Sequence, residues 1–190
     1  MPTLIVVAGA NGSGKSTLTK LFGDNTPLID PDTIAREIAP KNPASASIQA
    51  ARFAISLSQQ YIQSECSFIV ETTLSGSNYL NLMRKVKLSG WLLALIYIGI
   101  DDPNVNVLRV SDRVKLGGHN VPTEDILRRY ERSLLNLNKA AKIVDRLALY
   151  DNSTNVGHQL VATIENSQTV IYMKKLPVWV DRANLNLQGR

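Results

Sequence analysis

Gly9-Ala10-Asn11-Gly12-Ser13-Gly14-Lys15-Ser16-Thr17 fits the spacing G-x-x-x-x-G-K-[ST], a pattern whose chemistry is the cradling of a phosphate chain. Gly9, Gly12 and Gly14 permit backbone angles that a Cβ would hinder, so successive N–H groups can turn inward on phosphate oxygens. Lys15 adds a mobile positive charge for the β- and γ-phosphates of ATP, and the Ser16 hydroxyl is of the type that ligates Mg²⁺. A dinucleotide fingerprint is excluded, because G-x-G-x-x-G starting at Gly12 needs glycine where Thr17 stands.

Two further carboxylate groups have the right company for phosphoryl transfer. Ile29-Asp30-Pro31-Asp32 closes a short apolar stretch, so one aspartate could take the proton of an acceptor hydroxyl while the other steadies Mg²⁺; Asp32 is the candidate base and Asp30 the candidate metal ligand. The competing reading is that either caps the helix that begins near Thr33. Glu71, with Thr72 beside it, ends the apolar run Phe68-Ile69-Val70 and suits a polar substrate, a carboxylate serving Mg²⁺, or a solvated strand end. Arg113 precedes the glycine-hinged basic segment Lys115-Leu116-Gly117-Gly118-His119, which could close over a nucleotide; Arg128 or Arg129 could supply a second cation. Asn152, after Leu147 to Tyr150, offers donor and acceptor groups to an adenine edge or forms a plain turn. His119 as a metal ligand is disfavoured, since the only other histidine is His158 and no cysteine cluster accompanies it.

The elements that must hold these groups follow from periodicity. Thr3 to Ala8 and Trp91 to Ile100 are continuous apolar, β-branched runs of the kind buried on both faces of a parallel sheet. Shorter strands fall at Pro27 to Asp30, Phe68 to Thr72 and Leu147 to Tyr150, and a terminal hairpin at about 158–175. Helices are expected over Ser16 to Phe22, Asp32 to Ile38, Ala44 to Gln63, Ser77 to Ser89, Pro103 to Val114 and Pro122 to about Arg146. Alternating strands and helices imply an α/β fold with helices on both faces of the sheet. No repeat or linker divides the chain, so residues 1–190 read as one domain, with a lid region at about 109–132.

Composition narrows the class. With 190 residues, 44% apolar and 19% charged, the chain can bury a sizeable core, which excludes a disordered protein. Its longest apolar run, Trp91 to Ile98, is far short of the roughly 20 residues that span a bilayer. Leu4 to Ala8 breaks at Gly9 without a preceding basic region, so no secretory signal is expected. A single cysteine, Cys66, excludes an intrachain disulfide and agrees with a cytoplasmic location. The net charge of +5 is concentrated between residues 84 and 146, a field that suits a polyphosphate ligand or, as the less favoured reading, a nucleic-acid end.

These residues together resemble the zeta-toxin family of P-loop kinases, in particular its shorter relatives described as predicted ATPases, from about Thr3 to Ser153. The resemblance implies a P-loop NTPase three-layer sandwich with a mostly parallel central sheet and a C-terminal β-hairpin. It implies that Asp32 acts as base on the acceptor hydroxyl, that Glu71 holds a sugar-nucleotide, and that Arg113 and Arg128 bind phosphate. It further implies ATP- and Mg²⁺-dependent phosphorylation of UDP-N-acetylglucosamine and a small antitoxin partner. Length, lid spacing and the Gly-Gly-His segment depart from the best-known toxins, so the acceptor is left open between a sugar-nucleotide, another small molecule and a polynucleotide or nucleoside. A slow ATPase acting as a regulatory switch is the alternative from another class.

Overall fold

A computed structural model of the chain describes residues 1–22, 26–118 and 120–187. Seven strands form one sheet in the order β2-β3-β1-β4-β5-β6-β7. β1 (Thr3–Ala8), β2 (Leu28–Ile29), β3 (Phe68–Thr72), β4 (Leu92–Gly99) and β5 (Arg146–Asp151) are mutually parallel. β6 (Gln159–Glu165) and β7 (Gln168–Ile171) are added antiparallel as a terminal hairpin. The fold is thus α/β with a mostly parallel sheet. β4, the most apolar run in the chain, occupies the middle of it.

Alternation along the strands divides the core between two faces. Leu4, Val6 and Ala8 of β1 join Phe68, Val70, Leu93, Leu95, Leu147 and Leu149 in the larger cluster. Over that face pack α3 (Ser47–Gln63), α4 (Ser77–Leu88) and α6 (Thr123–Ala141), through side chains such as Ala54, Met83 and Leu134. Val7, Ile69 and Ile98 look the other way, packed with Leu18 of α1 (Lys15–Thr19). Parallel strands buried from both sides must be apolar at successive positions, which is why β3 is buried throughout.

The structure departs from the sequence reading in several elements, among them the helix expected over Ser16 to Phe22, which is α-helical only to Thr19 and continues as a 3₁₀ turn over Lys20–Phe22. The helix expected to reach Arg146 ends at Ala141, because Asp145 is drawn to β4. Its N–H donates to Leu93 O at 2.9 Å, its Oδ2 accepts from Leu93 N at 2.9 Å, and Lys87 pairs with its other oxygen. The helix expected from Ala44 starts as a 3₁₀ turn over Pro43–Ala46 and becomes α-helical at Ser47. A short helix α7 (Val178–Arg182) was not anticipated at all. α2 (Pro31–Ile38) and α5 (Pro103–Lys115) lie within a residue of expectation, each with proline in its first turn. Among the described residues no helix is long and apolar enough to cross a membrane.

Candidate active site

The glycine-rich loop joins the end of β1 to α1, at the rim where β3, β4 and β5 also end. Gly14 adopts φ +98°, and a Cβ there would lie 2.6 Å from Asn152 Nδ2 and 2.8 Å from His158 Nε2. Only glycine fits both the conformation and the space. The loop is braced from behind by three contacts, two of them buried, that the sequence did not reveal. Asn106 Nδ2 donates to Asn11 O at 2.7 Å, Asn152 Nδ2 to Ser13 O at 2.8 Å, and His158 Nε2 bonds to Gly14 O at 3.2 Å. Three loop carbonyls are thereby satisfied; of the loop amides, Gly9 N donates to Thr72 O and Ser13 N to Ala10 O, and the others are left for a ligand. Asn152 thus gives one amide hydrogen to Ser13, its main-chain carbonyl accepts from Arg109 at 2.9 Å, and the residue still lines the first part of the cleft.

Lys15 is 9% exposed and its Nζ donates to Ala10 O at 3.1 Å. Burial pushes its ammonium below the usual lysine range, against the attraction of Glu71, Asp32 and Asp30. Glu71 is 5% exposed and sits against α1, accepting from Ser16 Oγ at 2.7 Å and Thr19 Oγ1 at 3.1 Å. Burial pushes its carboxyl above the ordinary glutamate range, while Lys15 and the two hydroxyls oppose the shift. The register of β1 with β3 produces this contact, since Glu71 pairs with Val7, two residues before the loop. Of the three readings for Glu71, the solvated strand end is excluded, and the hydroxyl contact sets it beside the Mg²⁺-type ligand Ser16. Thr72 Oγ1 accepts from Leu74 N at 3.0 Å and lines the cleft next to Glu71.

The two aspartates separate in role. Asp30 caps α2: its carboxylate accepts from Asp32 N at 3.0 Å and Thr33 Oγ1 at 2.6 Å, and Arg36 approaches to 3.8 Å. The expected metal ligand is therefore engaged as a helix cap, although it still borders the cleft. Asp32 forms no side-chain hydrogen bond or ion pair among the described residues, and its carboxylate faces open space.

That space has two parts. A cavity of about 580 Å³ runs along the loop and is lined by Gly12, Gly14, Lys15, Ser16, Arg109 and Arg113 among others. A second, of about 240 Å³, is lined by Thr72, Thr73, Ser75, Tyr79 and Arg129. Both are lined by Lys15, Asp30, Asp32 and Glu71. Tyr79 was missed by sequence reasoning, and among the described residues its buried hydroxyl has no partner; burial and the Asp30 charge raise its phenol above the usual range. Arg113 and Arg109 both reach the first cavity, as their spacing on α5 allows. Arg128 does not reach either cavity. It is 56% exposed and pairs with Asp125 at 2.5 Å, whereas Arg129, one residue on, donates to Asn11 Oδ1 at 3.3 Å and lines the second cavity. Lys115 pairs with Asp112 at 2.8 Å on its own helix and points to solvent; His119 lies outside the described residues.

Ser16 Oγ sits beside the Glu71 carboxylate, a pair of hard oxygen donors, and among the described residues no cluster of three or more His, Cys, Asp or Glu could hold a metal on its own. A divalent ion there needs ligands from a bound phosphate chain, which suits Mg²⁺.

Solved structures with this fold include a chain of the AvrRxo1-ORF1:ORF2 complex crystallised with ATP, with TM-score 0.70 and 18% identity over 90% of the present chain. The present chain spans 60% of that molecule's length. A chain of the PezAT toxin–antitoxin system of Streptococcus pneumoniae superposes with TM-score 0.65 and 16% identity, covering 97% of this chain and 77% of that one. In sequence, an uncharacterized protein of Haemophilus influenzae is 41% identical over 127 residues, which are 66% of this chain and 91% of that protein. The zeta toxin family model matches residues 1–174, a stretch that contains the loop, Asp32, Glu71 and both arginine-bearing helices, and the chain therefore belongs to the zeta toxin family.

Proposed function

We propose that the protein is a P-loop kinase that moves the γ-phosphoryl group of ATP to a hydroxyl of a small molecule. The observation that carries this reading is Asp32. Its unpaired carboxylate stands where a cavity lined by the phosphate loop meets a second, hydroxyl-lined cavity, with Lys15 at the junction. A donor and an acceptor bound in the two cavities would meet at that point.

The loop amides and Lys15 hold the β- and γ-phosphates, and Ser16, with Glu71 behind it, would hold Mg²⁺, which supplies charge neutralisation on the phosphate oxygens. The acceptor oxygen attacks the γ-phosphorus in line, forming the new O–P bond as the bond to the β-bridging oxygen breaks. Asp32 accepts the hydroxyl proton, and ADP leaves with the released charge balanced by Lys15. A carboxylate serves as the base because in a loose transition state the proton moves late. Arg113 from the first cavity and Arg129 from the second are the cations positioned to stabilise the transferring group; Arg129 takes the part expected of Arg128.

UDP-N-acetylglucosamine is the first acceptor to test, and the PezAT likeness supports looking for a small antitoxin partner. The protein is incubated with γ-labelled ATP, Mg²⁺ and a panel of sugar-nucleotides and nucleosides, and products are read by mass spectrometry. A phosphorylated acceptor that disappears in Asp32→Asn is expected. Hydrolysis to ADP with no acceptor modified by any member of the panel would instead favour a slow ATPase.

A further inference from the structure

α7 lies beyond residues 1–174, the part matched by the family. Its Trp179 is nevertheless fully buried, against Gly99 at the end of β4, where a Cβ would come within 2.2 Å of the indole ring. So large a side chain at a strand end, received by a glycine, calls for an account.

We infer that Trp179 is a positioning residue for the phosphate loop, and that the segment around α7 is a clasp through which the C-terminal part of the chain sets nucleotide affinity. This inference rests on the reading of the loop as a nucleotide site.

The clasp has two arms. In the first, Trp179 Nε1 donates to Asp151 Oδ1 at 3.0 Å, and the same carboxylate accepts from Ser153 Oγ at 2.6 Å and Ser153 N at 3.2 Å. Ser153 Oγ in turn accepts from Asp101 N at 2.9 Å, and Asp101 Oδ1 accepts from Trp179 N at 2.9 Å, closing a ring of bonds. Between the two fixed residues sits Asn152. Its N–H donates to Gly99 O at 3.0 Å and its side chain to Ser13 O at 2.8 Å. The indole therefore holds the turn that holds the loop.

The second arm runs through α6. The Arg182 guanidinium lies over the Tyr130 ring at 5.2 Å and bonds to Glu131 at 2.5 Å, while Asn138 Nδ2 donates to Asn184 O at 2.6 Å. Tyr130 is anchored to Ile100 O at 2.7 Å, and its neighbour Arg129 reaches Asn11. Both arms end on the same loop, at Ser13 and at Asn11. The links that matter most, Trp179 to Asp151 and Asn152 to Ser13, are buried, and there no water substitutes for a lost partner; the bonds of the second arm at Glu131 and Asn184 are exposed and play the lesser part.

ADP is titrated calorimetrically into the full chain as wild type, Trp179→Phe, Asn152→Ala and the double variant. Phenylalanine keeps an aromatic ring and most of the bulk while removing the donor to Asp151. The dissociation constant is expected to rise about five- to tenfold in Trp179→Phe, and by less than about twofold when the same change is made in the Asn152→Ala background. A purely structural tryptophan would lower the fraction of molecules that bind and leave the constant of the rest unchanged. Wild-type affinity in Trp179→Phe, or independent multiplication of the two effects, overturns the clasp. Failure of the wild type to bind ADP overturns the nucleotide reading and the clasp with it. Should Trp179→Phe not fold, Ser153→Ala, which cuts the same turn from its half-buried side, carries the same expectations.

Discussion

Asp30 and Asp32 differ by two positions and by everything around them, so exchanging each separates structure from chemistry. Asp30 satisfies two donors at the start of α2 and has Arg36 nearby. Its replacement by alanine removes an N-cap, worth about 1 kcal/mol, and leaves the Thr33 hydroxyl without its acceptor, for a total of about 1 to 2 kcal/mol. In a domain of this size that lowers Tm by about 3 to 6 °C. Relief of the Asp30 charge near Glu71 offsets part of the loss. Asparagine caps as well as aspartate, so Asp30→Asn restores most of the stability. Asp32→Asn touches no partner and changes stability by less than about 0.5 kcal/mol, yet it removes the proton acceptor and lowers phosphoryl transfer by about 10²- to 10⁴-fold. Thermal unfolding followed by circular dichroism gives the first quantity and transfer from γ-labelled ATP the second. The reasoning is refuted if Asp32→Asn loses stability as Asp30→Ala does, or if transfer survives Asp32→Asn and is abolished by Asp30→Asn.

Arg128→Ala, removing an exposed pair with Asp125, leaves transfer within about twofold of wild type, while Arg129→Ala is expected to cost about 100-fold, as would the loss of any unit charge acting over about 6 Å at an effective dielectric constant of about 20; steady-state kinetics on both variants decide between the two. Glu71→Gln mimics the protonated carboxyl. Because the folded-state pKa of Glu71 is raised, its charged form penalises folding above that pKa, and the penalty fades as pH falls towards the unfolded value. The variant is therefore expected to unfold at a higher temperature than wild type near pH 8, with the difference shrinking on acidification towards about pH 4.5; a difference that grows on acidification has the wrong sign.

What the sequence reveals of this site depends on whether the signal is local. The placement of the loop between β1 and α1 is legible because its glycines, lysine and serine form one contiguous pattern, and β1 before it is a single apolar run. Asp32 and Glu71 stand out because each follows a run that must be buried, which sets Glu71 near the end of β3 and Asp32 in the first turn of α2, just past β2. The choice between Arg128 and Arg129 is not local. One residue turns a helix by about 100°, and only the packing of Ile126, Tyr130 and Leu134 fixes which arginine faces the cleft. Asn152 lies at the rim as its position after β5 implies, but its partner Ser13 is 139 residues away. The same is true of Asn106 and His158, whose roles come entirely from tertiary approach. α7 escapes detection because five residues carry no period, and its burial depends on the glycine at 99 rather than on its own sequence.

The most direct measurement is a calorimetric titration of Mg²⁺-loaded ATP into the wild-type chain and into Lys15→Ala. The account predicts one-site binding in the wild type that is lost in the variant, since Lys15 is the buried cation at the junction of the two cavities. Absence of binding to the wild type, or an unchanged isotherm in Lys15→Ala, would contradict it.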